Sequence, residues 1–294
     1  MESQKIIEYV RQTANAELES LAPVSGGLTA SGKYKVTVKG SDWMVKILPG
    51  TPTRQMWYQE LNRRANEQMA NPKLFKLFDD GNLVLLSPWI DGPNLEEKLI
   101  DAVPEEVGEY GRQAAVLLQQ LHSEPIEYPA VIQGVQKRIH TACEQVETLG
   151  LTFPGYKECC AFLRQAVQNH TFGKFSILHK DIRPENFIVR DGKLHLIDFD
   201  NGGLGELAED FSYLMTMGRI EHRPFAYELT RCYLEHTDAE KFWQDNLLYS
   251  TLQMVEYAIW KWYRKGRQVY FQAQTLLDQH DGFTDNIPKW WRNL

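Results

Sequence analysis

Residues 175–200 read FSILHKDIRPENFIVRDGKLHLIDFD, and the fold turns on how this stretch divides. Two short apolar runs, FIV at 187–189 and LHLI at 194–197, flank Arg190-Asp191-Gly192-Lys193. An Asp-Gly pair between apolar runs is a hairpin signature, because these residues accept the positive φ that a tight turn demands. Polar loops therefore sit at both ends of the hairpin. In the ordered set His179-Lys180-Asp181, Asn186 and Ile197-Asp198-Phe199-Asp200, the two acidic residues Asp181 and Asp198 and the amide Asn186 converge on one point.

Working outward toward the N-terminus, the texture is strand-rich. After an opening helix around Ile6 to Val10, KYKVTVKGSDWMVKIL reads as two alternating strands joined at Lys39-Gly40-Ser41-Asp42, and it carries Lys46 on the second strand. TPTRQMWYQELNRRANEQMA reads as a threonine-capped helix, and LFKLFDDGNLVLLSPWI as a hairpin turned at Asp80-Gly81. The order is strand, strand, helix, strand, strand. Beyond Asp91-Gly92-Pro93 the periodicity becomes helical, with long segments from Glu105 to His122 and from Tyr156 to His170, and the chain from Leu207 onward is helical and rich in tryptophan. A two-lobe α+β architecture follows, divided into 1–91 and 92–294.

Composition excludes several classes. A net charge of −7 and a pI near 5.7 argue against a chain that grips nucleic acid or an anionic membrane, and a cationic partner fits better. No stretch approaches the ~18 apolar residues a spanning helix needs, and the N-terminus lacks an apolar targeting core. Cys143, Cys159, Cys160 and Cys232 have no C-x-x-C spacing, so they read as reduced thiols in a cytoplasmic protein; a monomer and a homodimer are both open. The histidines show no metal-ligand spacing.

Phosphoryl transfer to an alcohol needs a carboxylate to accept the hydroxyl proton, together with oxygen ligands that hold Mg²⁺ against nucleotide phosphates. Asp181 suits the first task; Asn186 and Asp198 suit the second. In this ordered set the sequence resembles the protein-kinase-like superfamily, and within it the aminoglycoside phosphotransferase and choline kinase family. The resemblance implies a small antiparallel-sheet lobe followed by a larger, mainly helical lobe that binds the acceptor. It makes Asp181 the catalytic base, Asn186 and Asp198 metal ligands, and Asp200 an additional ligand. His179 then supports the loop, Asp210 braces it, and His122 belongs to the scaffold.

The same resemblance assigns Lys46 to the α- and β-phosphates, with Glu60 as the acidic partner of its ammonium and Glu67 as the second choice. Ser25, Gly26 and Gly27, followed by Thr29, Ser31 and Gly32, occupy the place of a phosphate-covering loop; they form no G-x-G-x-x-G, and a plain flexible turn is the competing reading. Ser87, Trp89 and Ile90 resemble the hinge whose backbone bonds the adenine edge. The implied cofactors are ATP, with GTP as an alternative, and Mg²⁺. The implied acceptor is a hydroxyl-bearing small molecule: an aminoglycoside-like antibiotic, choline or another amino alcohol, or thiamine.

Glu256, Trp260 and Tyr263 fall at i, i+4 and i+7, a face that suits either a cationic acceptor or ordinary core packing. An ATP-binding regulator without transfer activity is a second reading. A protein kinase is a third, disfavoured because no A-P-E follows Asp198.

Overall fold

The computed structural model describes residues 2–24, 32–126, 130–216, 220–264 and 270–294. Its elements run α1 (Glu2–Ala14), β1 (Leu18–Pro23), β2 (Lys33–Val38), β3 (Ser41–Pro49), α2 (Pro52–Arg64), β4 (Leu74–Leu77), β5 (Asn82–Pro88), α3 (Leu95–Leu99), α4 (Pro104–Leu121), α5 (Ala130–Thr148) and α6 (Tyr156–Asn169). They continue β6 (Phe175–Leu178), β7 (Phe187–Arg190), β8 (Lys193–Leu196), β9 (Gly203–Glu206), α7 (Ser212–Thr216), α8 (Arg223–Leu234), α9 (Ala239–Tyr263), α10 (Tyr270–Gln279) and α11 (Lys289–Arg292). Two compact units result, Met1–Leu95 with Glu185–Asp200, and Glu96–Pro184 with Asn201–Leu294.

The first unit is built on an antiparallel sheet in the order β1-β2-β3-β5-β4. Its register starts at a two-residue turn: Lys39 and Gly40 have φ of 51° and 70°, so Val38 faces Ser41 and every pair behind them is set. Val36, Val45, Val84 and Leu86 bury one face against Ile6, Tyr9 and Val10 of α1. Thr51 caps α2, its side chain accepting the Arg54 N–H at 3.1 Å, and Pro52 occupies the first turn, where no N–H is needed.

The helix stops at Arg64, short of the run the sequence suggested. Asn66 turns its side-chain oxygen onto the Gln68 N–H at 2.9 Å, a local turn that competes with helix continuation. Strand β1 was not foreseen, because LESLAP shows no apolar alternation; it pairs with β2 at the sheet edge, with a bulge between Leu18 and Ser20.

The hairpin of β7 and β8 is as read from the sequence: Asp191 and Gly192 have φ of 52° and 72°, and Phe187 faces Leu196. It packs with the first unit, whereas the division after Asp91 would have put it in the second lobe. Val189 N–H donates to Pro93 O at 2.9 Å, Ala70 N–H to Leu196 O at 2.8 Å, and Leu196 N–H to Gln68 O at 2.9 Å. Gly92 makes that approach feasible: at φ of 150°, a β-carbon there would lie 2.4 Å from Val189 O.

In the second unit α4 crosses α8 at Gly111, where a β-carbon would come within 2.5 Å of Glu228 Cβ and 2.9 Å of Leu229 N. A separate core joins α5, α6, α9 and α10 through Ile139, Cys143, Val146, Leu163, Leu252, Val255 and Leu276. Helix α9, capped by Asp238, which accepts the Lys241 N–H at 3.1 Å, buries residues on most of its faces, Asp245, Asn246, Ser250 and Thr251 among them, rather than along one apolar stripe. Strands β6 and β9 pair from Phe175–Glu206 to Leu178–Gly203. All four cysteines are buried free thiols. Among the described residues no helix is long and apolar enough to cross a membrane.

Candidate functional site

In the first unit Lys46 extends from β3 to two carboxylates. Its Nζ stands 2.6 Å from Asp198 Oδ1 and 2.9 Å from Asp200 Oδ2. Burial would push the Lys46 ammonium down, but the charges of Asp200 and Asp198 outweigh it and hold the pKa above the ordinary lysine value. The two acids diverge. Burial pushes Asp198 up, yet Lys46, and after it Lys33, hold it below the usual carboxylate range; for Asp200 burial wins, helped by the Asp198 charge, and its pKa is raised.

Both carboxylates emerge from the end of β8, where Asp198 adopts a left-handed φ of 66°, unusual for any residue but glycine. The Arg54 guanidinium donates to the Asp200 carbonyl at 2.5 Å and to the Pro49 carbonyl at 3.3 Å, fixing the turn after the strand. Tyr58 is fully buried, and its hydroxyl finds no hydrogen-bond partner among the described residues. Burial, with Asp200 next in weight, pushes that phenol well up.

Asn186 is buried at the same end of the hairpin, its carbonyl accepting the Ile197 N–H at 2.9 Å. Asn186, Asp198 and Asp200 are thus three oxygen-bearing side chains carried by one end of one hairpin, a donor set that fits a hard divalent cation such as Mg²⁺.

Lys33 was missed from the sequence. Its Nζ lies 3.6 Å from Asp198 Oδ2. Lys33 and Lys46 are direct cross-strand partners, a relationship that counting back from the Val38–Ser41 pair reveals. The expected Lys46–Glu60 pair, by contrast, does not form. Glu60 Oε1 accepts from Arg63 at 2.7 Å and from Arg64 at 2.8 Å on its own helix, and the Arg63 bond, opposed by burial, leads in bringing its carboxyl to about 2.

Of the hinge residues, Ser87 pairs with Met44 across the sheet. The Trp89 N–H donates to Asp42 O at 3.1 Å, so that donor belongs to the sheet and is not offered to a nucleotide base. The Trp89 indole donates to Asp91 at 2.6 Å, and Lys35 sits 4.7 Å from its ring centroid. Ile90 is half-buried beyond it. Ser25, Gly26 and Gly27 lie outside the described residues.

In the second unit, the loop His179-Lys180-Asp181 follows β6 and hangs on Asp210. The His179 N–H donates to Asp210 Oδ2 at 3.0 Å and the Lys180 N–H to Asp210 Oδ1, while His122 Nε2 meets Oδ2 at 2.9 Å and His122 Nδ1 meets the Tyr233 hydroxyl at 2.7 Å. Burial pushes the Asp210 carboxyl up, but the bonds from His122 and from the His179 main chain prevail and hold it below the ordinary range. One buried carboxylate thereby satisfies two loop amides, which is what keeps an irregular segment in one conformation. Asp181 is largely buried at the loop tip, its Oδ1 3.4 Å from Arg183 Nε.

On the helix face read as suiting either a cation or core packing, the carboxylate already has a partner. Arg138 of α5 grips Glu256 through two bonds of 2.5 and 2.6 Å, and Arg264 and Lys261 sit 4.7 and 5.3 Å from the Trp260 ring centroid. Tyr263 is exposed.

The sequence profile of the phosphotransferase enzyme family matches residues 20–243. Solved structures of similar fold include a spectinomycin phosphotransferase in complex with ADP and spectinomycin, at 15% identity over 99% of this chain and 93% of that chain, with a TM-score of 0.59. The GDP complex of wild-type aminoglycoside 2′-phosphotransferase-IIIa gives 16% identity, coverage of 97% and 99%, and a TM-score of 0.62. A ternary complex of streptomycin, ATP and an aminoglycoside 2″-phosphotransferase gives 17%, 93% and 95%, and 0.63. Identities this low speak for the kinase-like fold, and the chemistry has to be argued from the site. No curated protein matches the chain.

Proposed function

We propose that this chain, which belongs to the phosphotransferase enzyme family, transfers the terminal phosphoryl group of ATP or GTP to a hydroxyl of a small molecule. The observation that carries the reading is the suspension of the His179–Asp181 main chain from the buried Asp210 carboxylate, because a proton acceptor must be held within hydrogen-bond reach of the attacking hydroxyl. In this reading Asp181 accepts the hydroxyl proton and aligns the oxygen for in-line attack, with no covalent intermediate on the protein.

Lys46 neutralises the nucleotide phosphates, and its ammonium trades bonds to Asp198 and Asp200 for bonds to phosphate oxygens. Lys33, directly across the strand pair, adds a second positive charge beside Asp198. Asn186, Asp198 and Asp200 would hold Mg²⁺, which would supply neutralisation of the negative charge on the nucleotide phosphates.

Similar folds have been solved with ADP, GDP and ATP, and with spectinomycin and streptomycin, which supports a purine nucleotide as donor and a polyhydroxylated small molecule as acceptor. An aminoglycoside-like antibiotic, or choline or another amino alcohol, is the acceptor class we infer. The test is nucleotide consumption with Mg²⁺ across a panel of aminoglycosides, choline, ethanolamine and thiamine, with Asp181→Ala as control. Stimulation by one compound, lost by orders of magnitude in the variant while nucleotide affinity persists, is the expected result. Undiminished turnover in Asp181→Ala would remove the base assignment.

A further inference from the structure

We propose that Lys180, anchored by Glu209, is a positioning residue that sets the main chain carrying Asp181; the proposal rests on the reading of Asp181 as the base. The starting point is a conformational oddity. Lys180 has a φ of 61°, a left-handed conformation that is strained for an L-residue and free for glycine. A lysine in such a place is tolerated when its side chain makes a bond that glycine could not.

That bond is present. Lys180 Nζ reaches back to donate to the Leu204 carbonyl at 3.0 Å and to Glu209 Oε1 at 3.1 Å. Glu209 is buried at the turn after β9, and the same Oε1 accepts from Arg138, so one carboxylate oxygen ties two cations. The other oxygen is walled in: a β-carbon at Gly205 would lie 2.3 Å from Glu209 Oε2, so Glu209 is seated directly against the β9 main chain. Arg138 is held from its other side by the two-bond fork to Glu256 of α9.

Lys180 is consequently fixed twice, by its N–H on Asp210 and by its ammonium on Glu209, with the peptide leading to Asp181 starting between these anchors. A displacement of about 1 Å at a catalytic group is enough to cost on the order of 100-fold in rate, so a tether of this kind has a kinetic role as well as a structural one. The tether also runs by direct contacts from the catalytic loop through Glu209 and Arg138 to Glu256, joining β9 to helices α5 and α9.

Lys180→Gly is the discriminating variant, because it removes the ammonium while relieving the left-handed strain. The expected result is a thermal midpoint that does not fall and amide exchange at 179–181 faster by about tenfold. Hydrolysis of Mg·ATP with water as acceptor should have kcat lowered by at least about tenfold and an unchanged KM for ATP. Lys180→Arg, whose longer cation still reaches Glu209, should restore both readouts, and Glu209→Gln should reproduce the loss.

Unchanged exchange at 179–181 in Lys180→Gly overturns the proposal, as does a Lys180→Arg variant no better than the glycine. Asp181→Asn separates the two readings. Wild-type hydrolysis in that variant removes the base assignment, whereas loss in Asp181→Asn with full exchange protection and kcat in Lys180→Gly removes only the tether.

Discussion

Lys46 Nζ lies 2.6 Å from Asp198 Oδ1, joining side chains 152 residues apart in the chain. The ammonium is shared with Asp200, and the two acids are driven in opposite directions, Asp198 down and Asp200 up. Replacing Asp198 by Asn removes one of the two negative charges facing the ammonium and one carboxylate oxygen from the proposed Mg²⁺ donor set. Mg·nucleotide affinity and turnover are then expected to fall together, each by on the order of tenfold or more. Titrating nucleotide at several Mg²⁺ concentrations checks this; an unaltered Mg²⁺ dependence counts against Asp198 as a ligand.

Glu60 should behave quite differently. Its carboxylate is committed to Arg63 and Arg64, so Glu60→Gln is expected to leave the KM for nucleotide within about twofold of wild type. Steady-state kinetics with varied nucleotide decide the matter, and a large rise in KM would show that the Glu60–Lys46 pair forms on nucleotide binding.

Acid should release the Asp210 anchor of loop 179–181 only at low pH, because that carboxyl is held below the ordinary range. The folded pKa of Asp210 is depressed below 3.8, so its contribution is fully present above that pH and is lost as the pH falls through the folded value. The thermal midpoint difference between wild type and Asp210→Asn is expected to be constant from pH 7 to about 5 and to shrink below about 4. A difference that grows on acidification would contradict the geometry.

Gly111 tests the crossing of α4 and α8. A methyl group there meets Glu228 Cβ and the Leu229 main chain, neither of which can rotate away, so Gly111→Ala should destabilise by about 2 kcal/mol despite the better helix propensity of alanine. Thermal unfolding measures it, and a stabilised variant would mean the helices separate more easily than their spacing implies.

The β7–β8 hairpin was legible because Asp191-Gly192 encodes its own turn, and the order of the central strands because Lys39-Gly40 does the same. Lys33 was legible in principle, since that turn sets Lys33 opposite Lys46, but pairing it required completing the register. The Glu60 error was also readable: Arg63 and Arg64 at i+3 and i+4 compete for that carboxylate more closely than a lysine on another element. Strand β1 carried no signal, because the bulge between Leu18 and Ser20 puts its two partly buried leucines, Leu18 and Leu21, three residues apart and so breaks the alternation. Arg138 on α5 and Glu209 meet only through tertiary packing, which brings residues 71 apart together.

The first unit is discontinuous, and this sets a schedule for its birth. A nascent chain that has emerged only to Leu95 has no partner for the Ala70 N–H or the Gln68 carbonyl, because Leu196 has yet to be made. It also lacks both carboxylates that face Lys46, so until they arrive the ammonium has water in their place. Translation at ~5–20 residues per second puts roughly 5–20 seconds between the emergence of residue 95 and of residue 200. Throughout that interval the five-stranded sheet, whose last strand ends at Pro88, stands without the β7–β8 hairpin that completes its unit.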